Sequence, residues 1–253
     1  MNRLVTALFV ISSVVFGAHQ ASAQGAPWSD RGYINVGWGV ESGSSAMTDT
    51  RTSTIYEETA TVDSAATFSS GSLFDVGVGV RVWRNLTVGA GYHQEQNDTE
   101  GKLTGSIPSP VFFNQPRTLN ETVPGLNRKE SAVHLVFGWV VPLSSKFDVM
   151  VSGGPSFFRV EQDAVSAVSI GETGGSFTTI LAQPTITTSK KSQTGFNAGV
   201  DATYIVWEND SVRLGAGAFA RFTRADVTLP MLASEQSTEV GGMQFGFGAR
   251  VRF

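Results

Sequence analysis

The sequence predicts an all-β fold in which eight antiparallel strands close up and down into a barrel that crosses a bilayer. Three observations carry this. Apolar residues recur with period two in eight stretches of nine to eleven residues, the length at which a tilted strand spans hydrocarbon. The connections between them run long, short, long, short, long, short, long, with both termini on the short-turn side. The composition is also unusual: 16% charged residues and 28 glycines in 253 residues, against about 25% charged and 7% glycine in ordinary soluble domains.

The first segment reads as an address. Met1-Asn2-Arg3 carries a positive charge, Leu4 to Ala18 is an apolar run, and Ala21-Ser22-Ala23 has the small residues of a cleavage site. Residues 1–23 are expected to be a removed export signal, leaving 24–253 as one domain. That run is too short to cross a membrane as a helix, and no other stretch reaches 18 consecutive apolar residues. A helical membrane protein is excluded.

The strand spans are 33–41, 73–82, 86–95, 132–141, 147–157, 196–206, 212–222 and 243–253. Residues 83–85, 142–146 and 207–211 are tight turns bearing Asn, Pro or Ser. The other four connections, about 42–72, 96–131, 161–195 and 223–242, are rich in Ser, Thr and Gly and read as long solvated external loops. This rhythm of short periplasmic turns and long extracellular loops is that of bacterial outer-membrane barrels.

Side chains alternate across a strand, so each span has two faces. One face carries Val36, Trp38, Phe74, Val78, Tyr92, Phe137, Trp139, Phe157, Phe196, Tyr204, Phe222, Phe247 and their apolar companions, and no charge. The other carries every ionisable group of the spans: Glu41, Asp75, Arg81, His93, Glu95, His134, Asp148, Asp201, Arg213, Arg221, Arg250 and Arg252. An Arg or Lys on the lipid side at mid-bilayer costs about 2–4 kcal/mol, so the charged face is expected to point inward. All core glycines except Gly153 share the inward face, where an eight-stranded barrel has little room. The outward aromatics fall into two girdles, Trp38, Phe74, Tyr92, Phe157, Phe196 and Phe222 outside and Trp139, Phe147, Tyr204 and Phe253 inside.

The inward charges suggest an interlocked ion-pair network that fills the lumen, with a charge-lined narrow pore as the alternative. Arg81, Arg213, Arg250 and Arg252 lie with Asp148 and Asp201 toward the periplasmic end, and Glu41, Asp75 and Glu95 lie with Arg221 toward the outer end. His93, Glu95 and His134 could in principle form a metal or acid–base site. Two imidazoles and a carboxylate are a thin set, and a satisfied hydrogen-bond cluster is the favoured reading. No serine in the spans aligns clearly with His93, Asp75 and Glu95, so catalysis is not expected. The sequence is therefore expected to hold no metal, no cofactor and no catalytic residue. Gly215-Ala216-Gly217-Ala218-Phe219-Ala220 fits a nucleotide fingerprint only on paper, since it lies within a strand pattern. The absence of cysteine excludes disulfides and thiol chemistry, and a net charge of −4 argues against a nucleic-acid partner.

The last stretch, Met243 to Phe253, alternates and stops on Phe. With Phe247, Ala249, Val251 and Phe253 on its outward face it resembles the assembly signal of bacterial outer-membrane proteins. The chain from residue 24 looks like the small barrels that include OmpX, OmpW and the transmembrane domain of OmpA, without the peptidoglycan-binding domain that follows in OmpA-type proteins. The resemblance implies a monomer in a bacterial outer membrane, with lipid and the barrel-assembly machinery as partners and the loops open to an extracellular ligand. It implies a structural or surface-interaction role, a narrow channel as the alternative, and a lipid-modifying enzyme as a distant third.

Overall fold

Strands form where the period-two pattern predicts them and continue well past it. The computed structural model describes residues 28–69, 71–172, 177 and 179–253; the expected export signal, residues 1–23, lies outside them. In chain order the strands are β1 (Gly32–Ser42), β2 (Ser45–Ile55), β3 (Glu58–Phe68), β4 (Gly71–Trp83), β5 (Leu86–Ile107) and β6 (Arg117–Pro142). They continue with β7 (Phe147–Glu172), β8 (Ile180–Glu208), β9 (Arg213–Pro230), β10 (Glu235–Val240) and β11 (Met243–Arg252). Every pairing is antiparallel. β1 pairs with β4 and β11, and from β4 the ladder runs through β5, β6, β7, β8 and β9 to β11, so the path returns on itself.

The described residues thus hold eleven strands, where the sequence predicts eight. The connections expected as solvated loops are largely sheet. β5 and β6 stay paired out to Ile107 opposite Arg117, and β7 and β8 out to Glu172 opposite Ile180. β2 pairs with β3, β3 with the far end of β5, and β10 with the far end of β9. The cause is a sparse alternation that Ser and Thr conceal. Ala60 and Val62, Leu103 and Ile107, Leu119 and Val123, and Ala225, Val227 and Leu229 each put isolated aliphatics on one face, while Thr, itself β-favouring, fills much of the other. These residues bury together with Met47, Phe68, Phe158 and Val160 in one apolar cluster. We call this part of the sheet, beyond the expected spans, the cap. β2 and β10 share no backbone ladder, and their seam is held by side chains: Ser45 Oγ lies 2.7 Å from Thr238 Oγ1, and the Asp49 carboxylate accepts from the amides of Ala233 and Ser234 and from the Ser234 hydroxyl.

Within the expected spans the two faces sort as their chemistry requires. Phe247 is 71% exposed, Phe137 49% and Val78 46%, whereas Arg250 and Arg252 are 1% exposed and His93 and His134 fully buried. A continuous apolar surface of this extent is far larger than soluble monomers tolerate. The glycines opposite it allow close approach. A Cβ on Gly79 would fall 2.5 Å from the Tyr33 ring, and one on Gly246 would fall 2.6 Å from the Phe219 ring, so both positions accept an interior aromatic only as glycine.

Candidate functional site in the barrel interior

The interior is layered along the strands. At one end Trp28, Tyr33, Val140 and Met150 form a small apolar plug. Arg81 donates to the Trp28 backbone carbonyl and lies against its ring, so this arginine is anchored by a carbonyl and an aromatic face and not by the carboxylates expected for it. Arg213 also departs from the expected set: its partners are Asp30, at 2.9 Å, and Glu208, at 3.5 Å.

The next layer is the ion-pair network proper. Arg250 grips Asp201 with two contacts, Nε to Oδ1 at 3.1 Å and Nη2 to Oδ2 at 2.5 Å. Arg252 approaches Asp148 at 3.6 Å and Asp201 at 4.0 Å, and donates to Asn35 Oδ1 and Thr203 Oγ1 at 3.0 and 2.7 Å. Buried charges persist only when so matched, because an unpaired one costs several kcal/mol of lost hydration. Further along, Arg221 pairs with Asp75 and its guanidinium lies over Phe219.

Above that pair is a chain of hydrogen-bonded side chains. Gln244 turns its amide nitrogen toward Glu41 Oε2 at 2.6 Å, because a carboxylate accepts, and the same nitrogen faces His93 Nε2 at 3.3 Å. With the Gln244 nitrogen donating, His93 Nε2 is assigned as the ring's acceptor and Nδ1 as its protonated nitrogen, which lies 2.7 Å from His134 Nε2. His134 in turn donates from Nδ1 to Ser156 Oγ at 2.7 Å, and Asn197 donates to the same oxygen at 3.0 Å. A serine does align with the histidines. The imidazoles are stacked with centroids 4.9 Å apart, Phe158 packs edge-on against both, and Ser156 is fully buried. A hydroxyl enclosed in this way is not presented to a substrate.

The last polar layer before the apolar core of the cap holds Glu41, Glu95, Glu130 and Arg128. Arg128 Nη2 lies 3.3 Å from Glu130 Oε2. All four line a cavity of about 320 Å³ that opens between the β1–β2 and β10–β11 junctions. A smaller lumen cavity, about 60 Å³, lies among Tyr33, Asn35, Asp75 and Asp201. Of the expected residues, Asp148, Asp201, Arg250 and Arg252 come together as one cluster, Asp75 joins Arg221, His93 joins His134, and Glu95 lies at the outer cavity.

Sequence reasoning passed over Asn35, Ser156, Asn197, Thr203 and Gln244. Their signal was present, since each has the inward parity of its span. Glu130 and Arg128 were missed because they precede the expected span 132–141, although they share the parity of His134. Phe247, Ala249 and Val251 lie on the outward face of β11, Phe253 follows just past its end with an exposed ring, and the Phe253 carbonyl accepts from the amides of Arg31 and Gly32.

A sheet whose ladder closes on itself, apolar outside and ionic within, defines a membrane β-barrel. The chain belongs to the outer membrane protein beta-barrel domain family, whose model matches residues 8–253, and that membership points to the bacterial outer membrane. No curated protein sequence matches it. Among solved structures it is similar to Neisserial surface protein A (NspA), at 12% identity and a TM-score of 0.42, covering 88% of this chain and 97% of that one. It is also similar to the outer membrane protein OprG from Pseudomonas aeruginosa, at 10% identity and a TM-score of 0.44, covering 91% and 98%. The outer membrane protease OmpT from Escherichia coli matches at 10% identity and a TM-score of 0.30, covering 92% and 97%. At such scores these likenesses carry no inference about residues or activity.

Proposed function

We propose that this protein is a plugged outer-membrane barrel that holds a folded β-cap at the cell surface as a rigid interaction scaffold. The strands of the closed ladder, β1, β4 to β9 and β11, are its eight up-and-down transmembrane strands; β2, β3, β10 and the far ends of β5 to β9 make the cap. The export signal delivers the chain to a Gram-negative envelope, and the outward face of β11 serves the assembly machinery. The observation that carries this reading is the filled interior. From Arg250 and Arg252 through Thr203, His93, His134 and Ser156 to Leu103 and Ile107 the interior holds side chains that are 1% exposed or less, and the layers between them, Asp75 with Arg221 and Glu41, Glu95 and Glu130 with Arg128, are at most 14% exposed. A conducting path needs a continuous wet lumen, and eight strands enclose little more than their own side chains.

On this reading the buried Ser156–His134–His93 relay stiffens the barrel and catalyses nothing, and the cap surface meets the extracellular ligand. Recording in planar bilayers tests it. The protein is expected to give no steady conductance, with steps arising only when Arg250→Ala or Asp148→Ala opens the network. Reproducible conductance of the unaltered protein, abolished or rescaled by those changes, would replace the scaffold by a channel.

A further inference from the structure

We propose that Glu41, His93 and Glu130 bind one divalent transition-metal ion just beneath the outer cavity, which Glu41 and Glu130 line and behind which His93 is buried. Strands β1, β5 and β6 bring these three buried residues together, and one potential ligand atom from each lies within 4.8 Å of the others. Three donors at about 2.1 Å around one ion stand about 3.4–3.6 Å apart, so closing the site needs each ligand atom to move inward by under about 1 Å.

The proton order of the relay prepares His93 for this role. Its Nδ1–H is committed to His134, which leaves Nε2 as a lone pair directed into the carboxylate cluster, and a ligating imidazole is ordinarily held in this way by a hydrogen bond from its other nitrogen. The contact that now faces Nε2, the Gln244 amide at 3.3 Å, is long and would give way to a metal bond of about 2.1 Å.

Two further observations point to a missing ligand. Glu130 is 3% exposed and its Oε1 has no hydrogen-bond partner; Gln244 is fully buried and its Oε1 has none either. Such atoms are normally satisfied. The charges agree as well. The cavity lining is acid-rich, with Glu41, Glu95, Glu130 and Glu239 set against the guanidinium of Arg128, which favours a cation there. One imidazole with two carboxylates suits Zn2+ and its first-row neighbours better than Mg2+ or Ca2+, which prefer all-oxygen sites. The cavity supplies both an approach for the ion and room for water in its remaining coordination positions. The inference stands whether or not the lumen conducts.

The test is calorimetric titration of tag-free protein, folded in detergent and stripped with chelator, using ZnCl2. One zinc per chain is expected, with MgCl2 failing to compete, and Glu130→Gln and Glu41→Gln each weakening binding at least tenfold. Both variants are checked for the folded barrel's heat-modifiable mobility in gels. X-ray absorption of the zinc-loaded unaltered protein gives a readout that needs no variant: a light-atom shell with imidazole scattering is expected. The proposal is overturned by the lack of stoichiometric zinc binding, by binding that survives unchanged in both variants, or by a zinc shell without imidazole.

Discussion

Replacing Arg250 by Met is expected to cost about 3–5 kcal/mol, the range for stripping one partner from a buried ion pair. The size follows from what remains. Asp201 loses contacts of 3.1 and 2.5 Å and keeps only the Thr203 hydroxyl at 3.2 Å and Arg252 at 4.0 Å, in a position 7% exposed. Arg252 is already divided between Asp148 and Asp201, so it cannot compensate fully. The double change Arg250→Met with Asp201→Leu removes both charges and should recover most of the loss, because an apolar pair of similar volume is often neutral or stabilising in such a place. Urea unfolding from lipid vesicles, followed by tryptophan fluorescence, supplies the free energies for the double-mutant cycle. A cost below about 1 kcal/mol for the single change would place the pair in the range of solvent-exposed ion pairs and refute the network as an element of stability.

The other predictions probe the lipid face and the cap. Val78→Arg should cost about 2–4 kcal/mol in vesicles, as for an arginine on the lipid side at mid-bilayer, while Thr52→Arg on the exposed side of β2 should change stability by less than about 0.5 kcal/mol. Leu103→Ala should cost about 2–5 kcal/mol and speed amide exchange in β2, β3 and the far end of β5, with the spanning segments still protected. Acid should loosen the cap first. Burial opposes ionisation of Asp49, but the amides of Ala233, Ser234 and Thr50 and the Ser234 hydroxyl outweigh it and hold this carboxyl below its usual range; Arg117, bonded to Glu172 at 2.5 and 2.7 Å, lowers the Glu172 carboxyl likewise. Groups lowered on folding stabilise above the ordinary carboxylate value of about 4 and lose that contribution as pH falls through the folded value. Protection of the amides of residues 231–234, taken as exchange relative to the intrinsic rate at each pH, should therefore be high at pH 6 and low near pH 3, and in Asp49→Asn low at both.

How much of this could be read from the sequence depended on how dense the alternation was. In Met243 to Phe253, bulky apolar residues alternate with Gly, Gln and Arg without a gap, and both strand and face follow. In β5 beyond Glu95 the same face carries only Leu103 and Ile107 among Asn, Thr and Gly, so the stretch reads as loop although its partner β6 makes it sheet. Strand pairing supplies what the local pattern lacks, and a single sequence does not display its pairings. The interior charges show the same limit. Parity placed Arg81, Arg213 and Arg250 inside, but only the fold reveals that Arg81 reaches the Trp28 carbonyl, that Arg213 reaches Asp30, and that Glu130 from the extended part of β6 meets His93 and Glu41.

Because the chain has no cysteine, single cysteines can be introduced at Val78, Phe137 and Phe247, spin-labelled, and read in vesicles by power-saturation EPR. Membrane-dissolved oxygen should relax all three labels strongly and a water-soluble nickel chelate hardly at all, with a label at Ser53 in the cap showing the reverse. Nickel relaxation at the three sites as strong as at Ser53 would contradict a lipid-facing apolar surface, and with it a membrane barrel whose charges are enclosed.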